Sequence, residues 1–372
     1  MKVKKRGILA CGTLWFGAAV SLAEIEAGSQ IGCNWAALFT GHLLGGVLLF
    51  MMGLIGARSR LNAMESVGKA FGSRGTLFFS ILNLIQLVGW TSVMIAIGAK
   101  AIGTLTASSA PTWCLPLSSL VILWFFIGTS ASRTATVCMG LLAALCLFVT
   151  VRMIGTPSAA TTVSEPLGFW PAFEISLALP LSWLPLISDY TKDAERPFAA
   201  TLVSVAAYTL TGIWMFALGF LLFRSGHADL AHGLAGMGRP FALLGMAIIA
   251  LSTMATTFLD AYSAGESAKN ICNRIKPRPV GVIVVLVGGT LAAAGAFNHY
   301  LTFLNLIASV FAPMATVLVI DHYFIHKGSL VWNFLAWAVG FAVCQCADAS
   351  PVGPTLTAIA VSAVFALPRM FK

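Results

Sequence analysis

The chain reads as an all-α polytopic membrane protein, and three observations predict that class. Of its 372 residues, 58% are hydrophobic and only 9% charged, where a soluble domain carries about a quarter charged residues. Apolar runs long enough to cross a bilayer recur from one end to the other, joined by short polar connections. The basic residues gather on alternate connections.

Twelve transmembrane helices are expected, at 8–31, 35–57, 76–105, 113–131, 136–155, 170–190, 198–223, 240–265, 279–297, 300–325, 330–347 and 352–368. With the N-terminus in the cytoplasm, one side carries Lys2, Lys4, Lys5 and Arg6; Arg58, Arg60, Lys69 and Arg74; Arg133; and Lys192 and Arg196. It also carries Lys269, Arg274, Lys276 and Arg278, then Lys327, Arg369 and Lys372. Only Lys100, Arg152, Arg224 and Arg239 fall on or near the other side. That asymmetry satisfies the positive-inside rule and places both termini in the cytoplasm, in a multi-pass protein of the cytoplasmic (inner) membrane. The formal charge of +9 forms no contiguous stripe. The expected partner is therefore the lipid bilayer, with no nucleic acid.

The N-terminus is read as a retained first span. Only four residues separate Arg6 from Cys11, far short of a signal-peptide apolar region. The eight cysteines, Cys11, Cys33, Cys114, Cys138, Cys146, Cys272, Cys344 and Cys346, show no metal spacing with histidines. They read as apolar packing residues.

Polar residues enter the membrane mainly in spans 1, 3, 6 and 8; spans 2, 4, 5, 9, 11 and 12 read as scaffold. In span 1, Glu24 and Glu26 are costly in a bilayer and point to a bundle interior or a water-filled cavity. Gly28 permits departure from helical geometry. A break near Leu22–Glu26 would free carbonyls for a cation and aim Glu24 at the cavity. The plainer alternative places both glutamates at the outer end of a helix that stops early.

Span 3 carries Asn83, Gln86 and Trp90 at spacings of three and four, on one helical face. An amide and an indole on one stripe can hydrogen-bond and stack a flat heterocycle. The alternative has the amide joining a neighbouring helix while the ring packs. Span 6 contains Pro180, Ser182, Trp183, Pro185 and Asp189. Two prolines five residues apart predict two half-helices around Ser182 and Trp183. Asp189, nearer the cytoplasmic end, reads as a gate or cap.

Span 8 places Thr253, Thr256 or Thr257, and Asp260 on one face. Hydroxyl, carbonyl and carboxylate oxygens are what a hard cation wants. The threonines could instead bond the preceding turn, but a mid-span carboxylate still needs a partner. Interrupted spans in corresponding positions of two halves are the sequence mark of a carrier's binding site.

The stretches Trp15–Ile25, Gln86–Thr91, Pro180–Thr191 and Thr256–Gly265 resemble the CytX-type hydroxymethylpyrimidine transporters of the nucleobase:cation symport family (purine/cytosine permease-like). The resemblance runs from about Lys5 to beyond span 10. It implies a leucine-transporter-like fold, a 5+5 inverted repeat with helices 1 and 6 broken. The transport core would then span 1–328, repeat one at 8–155 and repeat two at 170–325, with two peripheral helices at 329–372.

The resemblance further implies a sodium ion between the span 1 break and span 8, on Thr256 and Thr257 with Thr253 and the carbonyls near Phe16 and Val20. It implies a ring clasped by Trp90 and a span 6 aromatic. The usual aromatic position falls near Pro180, and the nearest aromatic is Trp183. The span 8 asparagines of relatives are absent, and Asp260 stands nearby. The substrate set is thus Ser21, Glu24, Gln86, Trp90, Ser182, Trp183 and Asp260.

The function expected is cation-coupled import of hydroxymethylpyrimidine, a thiamin precursor, by alternating access, with Glu24 satisfying its aminopyrimidine edge. Cytosine or another nucleobase, carried with protons, is the alternative, since Glu24, Glu26 and Asp260 could relay protons. A membrane enzyme would need a nucleophile–base pair or metal cluster, and His42, His227, His232, His299, His322 and His326 lie apart in sequence. A channel would need repeated filter residues, which do not occur.

Overall fold

The computed structural model describes residues 5–32, 34–127, 131–157, 167–295, 299–326, 328–347 and 350–367. Lys2, Lys4, Cys33, Lys327, Arg369 and Lys372 lie outside them, as does the side chain of Arg133.

Among the described residues, a helix or broken helix falls within each span read from the sequence. Span 1 forms α1 (Ile8–Ala19) and α2 (Leu22–Gln30), bent by 52°. Spans 2 to 5 are α3 (Trp35–Ser59), α4 (Ala63–Thr106), α5 (Pro111–Ile127) and α6 (Ala131–Ile154). Span 6 forms α7 (Phe169–Ser182) and α8 (Ile187–Thr191), and span 7 is α9 (Pro197–Arg224). A short α10 (Leu230–Gly236) precedes α11 (Arg239–Ile271), which is span 8. Spans 9 to 12 are α12 (Pro277–Ala293), α13 (Tyr300–Ile320) with a π turn at Asp321–Ile325, α14 (Leu330–Cys346) and α15 (Pro354–Ala366).

Among the described residues, six helices are long and apolar enough to cross a membrane singly, and the bent pair makes a seventh. The stretches Pro111–Phe126, Pro277–Ala293, Leu330–Cys346 and Pro354–Ala366 are apolar but shorter. Leu9, Leu210 and Val331 are among the large apolar side chains left exposed, as expected where the surrounding solvent is lipid.

The span 1 break falls at Val20–Ser21, ahead of the Leu22–Glu26 stretch expected. Ser21 is extended (φ −139°, ψ 142°) and its hydroxyl accepts from the Ala23 N–H at 3.1 Å. A serine N-cap satisfies a donor that would otherwise be orphaned in α2. Gly28 is not the break. It is helical and buried, and a Cβ there would run into the backbone of Phe216 on α9. Its bareness is what lets α2 and α9 approach.

Span 6 breaks where expected: α7 ends at Ser182, and Trp183 opens a turn that runs to Leu186. Pro180 and Pro185 each lack the N–H that would continue the ladder. Two elements were not expected, α10 and the start of α4. The latter begins with a capping box of Asn62 and Glu65 and kinks at Gly72 (φ 66°) before the membrane span proper.

The halves of span 1 pack on α9, α3 packs on α7, and α4 packs along α11. The pair α14–α15 leans on α13. At the centre, the Trp15 indole meets Trp183, Tyr190 and Tyr208 edge-on at 5.2, 5.9 and 5.8 Å. Spans 1, 6 and 7 are thereby locked around one buried ring, an arrangement favoured by the aromatic quadrupole.

Candidate substrate cavity and cation site

Where the two interrupted helices face α4 and α11, a cleft encloses about 490 Å³ of space between protein atoms, part of it open to solvent. Ser21, Glu24, Trp90, Ser182, Trp183, Thr256 and Asp260 line this cavity, with Ala18, Ala23, Met94, Leu179, Leu186 and Leu259 as its apolar wall. Six of the seven side chains expected at the substrate are therefore brought together. A mostly apolar cleft with a few convergent polar groups is the usual form of a small-molecule site.

Trp90 is held edge-on by Tyr300 and Phe303 of α13, at 6.3 and 5.6 Å. That bracing fixes the orientation of the ring at the cavity wall. Asp260 is buried, and among the described residues no hydrogen bond or ion pair to its carboxyl is formed by the protein. It is the cavity's uncommitted polar group.

Gln86 stands apart from the rest of the set. It does not line the cavity; its amide donates to Asn83 at 2.9 Å and to the Ser182 carbonyl at 3.4 Å. Asn83 in turn donates to Ser267 at 2.8 Å and to the Pro185 carbonyl at 3.4 Å. Span 3 amides thus satisfy carbonyls that the break in span 6 leaves open.

Glu24 lines the cavity but has partners on its far side. Tyr208 donates to its Oε1 at 2.6 Å, and its Oε2 lies 3.9 Å from Nε2 of His42. His42 and Tyr208 were not singled out in the sequence, and span 2 is accordingly not pure scaffold. An isolated histidine in an apolar helix carries no periodic signal; only folding brings it to Glu24.

On the span 8 side, the hydroxyls of Thr253 and Thr257 are buried with no hydrogen-bond partner. Thr256 donates to the carbonyls of Ser252 and Thr253 at 3.1 and 3.2 Å. Thr253 packs on Gly98 of α4, and both its hydroxyl and that of Thr257 are uncommitted. On the span 1 side, the Phe16 carbonyl accepts from the Val20 N–H at 3.1 Å, and the other carbonyls of the last turn of α1 lose their helical partners at the break. Hydroxyl and carbonyl oxygens of this kind are the donors that a hard cation such as sodium takes. No cluster of three His, Cys, Asp or Glu residues fit for a transition metal occurs among the described residues.

Three further carboxylates tie elements together. Asp189 accepts from the Ala63 N–H at 2.8 Å and so joins α8 to the start of α4. Glu26 and Asp229 both approach Lys100 at 3.4 Å, at the end of the bundle where α10 lies.

A cleft between two interrupted helices, lined by Trp90, Trp183 and the Asp260 carboxyl, has the form of a small-molecule site in a membrane carrier. The family of permeases for cytosine/purines, uracil, thiamine and allantoin matches residues 3–336, and the chain belongs to it. The cytosine permease of Escherichia coli (strain K12) is 24% identical over 331 residues, covering 86% of this chain and 78% of that one. In fold, the chain is similar to the inward-facing conformation of Mhp1, with a TM-score of 0.79 and 17% identity over 99% of this chain and 91% of that one. It is also similar to Mhp1, a nucleobase-cation-symport-1 family transporter, closed on bromovinylhydantoin (TM-score 0.75, 19% identity, 99% and 92% covered). A Na+-coupled sialic acid symporter in its substrate-bound outward-open state follows (TM-score 0.73, 13% identity, 96% and 88% covered). The protein is a membrane permease of this family with a leucine-transporter-like fold.

Proposed function

We propose that this permease imports an aminopyrimidine, cytosine first among candidates, by cation symport with alternating access. The observation that carries the reading is Asp260, an unpaired carboxyl in a cavity walled by Trp90 and Trp183. An aminopyrimidine edge offers an exocyclic amino donor beside a ring-nitrogen acceptor. A protonated carboxyl meets both at once, and an ionised one accepts from the amino group. Trp90 supplies a face for the ring, and Ser21 and Ser182 offer hydroxyls to its substituents. The name of the E. coli relative supports cytosine over hydroxymethylpyrimidine, and Glu24 no longer argues for the latter because Tyr208 holds it. Hydroxymethylpyrimidine shares the same edge and stands second. Sodium at Thr257 and the open end of α1 is the coupling ion this reading assigns.

Equilibrium binding to the purified protein in detergent tests the substrate class. Cytosine and hydroxymethylpyrimidine should compete with each other. Uracil, with a carbonyl where cytosine has its amino group, should bind about tenfold more weakly for one mispaired polar contact. Equal binding of uracil and cytosine would sink the assignment of Asp260.

A further inference from the structure

Behind the cavity wall, four elements meet at a pair of buried atoms facing each other. Glu24 lies in the first turn of α2, His42 in α3, Ser176 in α7 and Tyr208 in α9. All four side chains are buried. Ser176 donates its only hydroxyl proton to the Leu38 carbonyl at 2.8 Å. The 2.8 Å contact between Ser176 Oγ and His42 Nδ1 must therefore run from Nδ1–H to Oγ. That assignment places a proton on Nδ1 and turns Nε2 toward Glu24.

Opposite it, at 3.9 Å, is Glu24 Oε2. Tyr208 already serves Oε1 at 2.6 Å, and neither Nε2 nor Oε2 has any other hydrogen-bond partner. Two lone pairs aimed at each other away from water are unfavourable. One proton between them removes the conflict, whichever of the two atoms holds it. The surroundings keep this space clear. At Gly212 of α9, a Cβ would stand 2.9 Å from Nε2 and 3.8 Å from Oε2. Phe216 holds the imidazole edge-on at 4.7 Å.

We propose that Glu24 and His42 form a proton-binding site, loaded with one proton, whose occupancy is coupled to the movement of α2 in the transport cycle. The proposal rests on the reading of the chain as an alternating-access carrier. α2 begins at the span 1 break, so its swing would draw Glu24 away from partners carried by α3 and α9. Separation exposes a carboxylate and an imidazole that no longer share a proton, so release of the proton and motion of the half-helix go together. The other titratable groups around the pair are accounted for. Tyr208 donates to Glu24, and Tyr300 of α13 donates to the Ala23 carbonyl at 3.2 Å. Glu26 pairs with Lys100 of α4, Glu174 of α7 turns to the first backbone amides of α15, and Asp260 lines the cavity from α11.

Two measurements on the full chain in lipid test this. In a pH-difference infrared spectrum of the wild type without substrate, a protonated-carboxyl band should titrate; it should vanish in Glu24→Gln and shift in midpoint in His42→Gln. In proteoliposomes, His42→Gln should exchange cytosine across the membrane within about twofold of wild type, yet lose about tenfold of its pH-gradient-driven accumulation at fixed sodium. A wild-type spectrum with no band removed by Glu24→Gln would overturn the site. Full pH-driven accumulation in His42→Gln would overturn the coupling. A wild type that moves no cytosine but shows the Glu24-dependent band would keep the proton site and discard the substrate.

Discussion

Gln86 of α4 donates its amide to the carbonyl of Ser182, 3.4 Å away, at the last residue of α7. The amide thus supports the broken backbone of span 6, just outside the cavity that Ser182 lines. Replacing it by leucine leaves that carbonyl and Asn83 short of a donor, at a cost of about 1–3 kcal/mol. Gln86→Leu should lower the thermal midpoint measured in detergent while the cytosine Kd moves less than about threefold. An unchanged midpoint with a tenfold weaker Kd would make Gln86 a ligand instead.

Trp90 has the opposite profile. Its ring is braced by Phe303 and Tyr300 and faces the cavity. Stacking on an aromatic face contributes about 1–3 kcal/mol per base, so Trp90→Ala should weaken substrate binding by about 5- to 150-fold. Titration calorimetry reads this directly. A Kd equal to wild type would mean that Trp90 only packs.

Asp260 should be replaceable by asparagine but not by leucine. An amide offers both a donor and an acceptor to an aminopyrimidine edge. Asp260→Asn should therefore hold the Kd for cytosine within about threefold, whereas Asp260→Leu should lose about tenfold or more for one missing polar partner. Competition binding across the two variants separates them, and parity between them would remove Asp260 from the recognition edge.

The latch at Lys100 carries a pH dependence of definite sign. Burial opposes ionisation of Asp229, but the backbone and ring N–H groups of His232 and the charge of Lys100 outweigh it and hold the carboxyl below the usual aspartate range. A carboxyl depressed on folding adds stability above its unfolded pKa, about 3.9, and loses it as pH falls through the lower folded value. Lys100 and His232 are partly exposed, so the contribution is no more than about 1 kcal/mol. Protection against hydrogen exchange at 230–236, corrected for the intrinsic pH dependence of amide exchange, should stay constant from neutral pH down to about 4 and then fall. Lys100→Met should lower it already at neutral pH, and indifference to both would mean the latch holds nothing.

Much of this arrangement was legible in the chain because hydropathy and proline act locally. The order of spans followed from apolar run length, and the split of span 6 from Pro180 and Pro185. Convergence of Trp90, Ser182, Trp183 and Asp260 was what the family resemblance implied, since broken helices in such carriers surround the cavity. The break in span 1 was misplaced because Gly28 drew attention from the better cap, Ser21. The start of α4 was missed although Asn62 and Glu65 stand three residues apart, the spacing of a capping box. Glu24's real partners were beyond sequence reasoning, since His42 meets Ser176 across 134 residues and Tyr208 meets Glu24 across 184.

The central claim, cation-driven movement of an aminopyrimidine through this cavity, is tested most directly by uptake of radiolabelled cytosine into proteoliposomes. Sodium and proton gradients are imposed separately, with hydroxymethylpyrimidine and uracil as competitors and Thr257→Ala in parallel. The account predicts saturable accumulation that needs a cation gradient, is inhibited by hydroxymethylpyrimidine more than by uracil, and loses its sodium dependence in Thr257→Ala. Entry that ignores both gradients and does not saturate would contradict it.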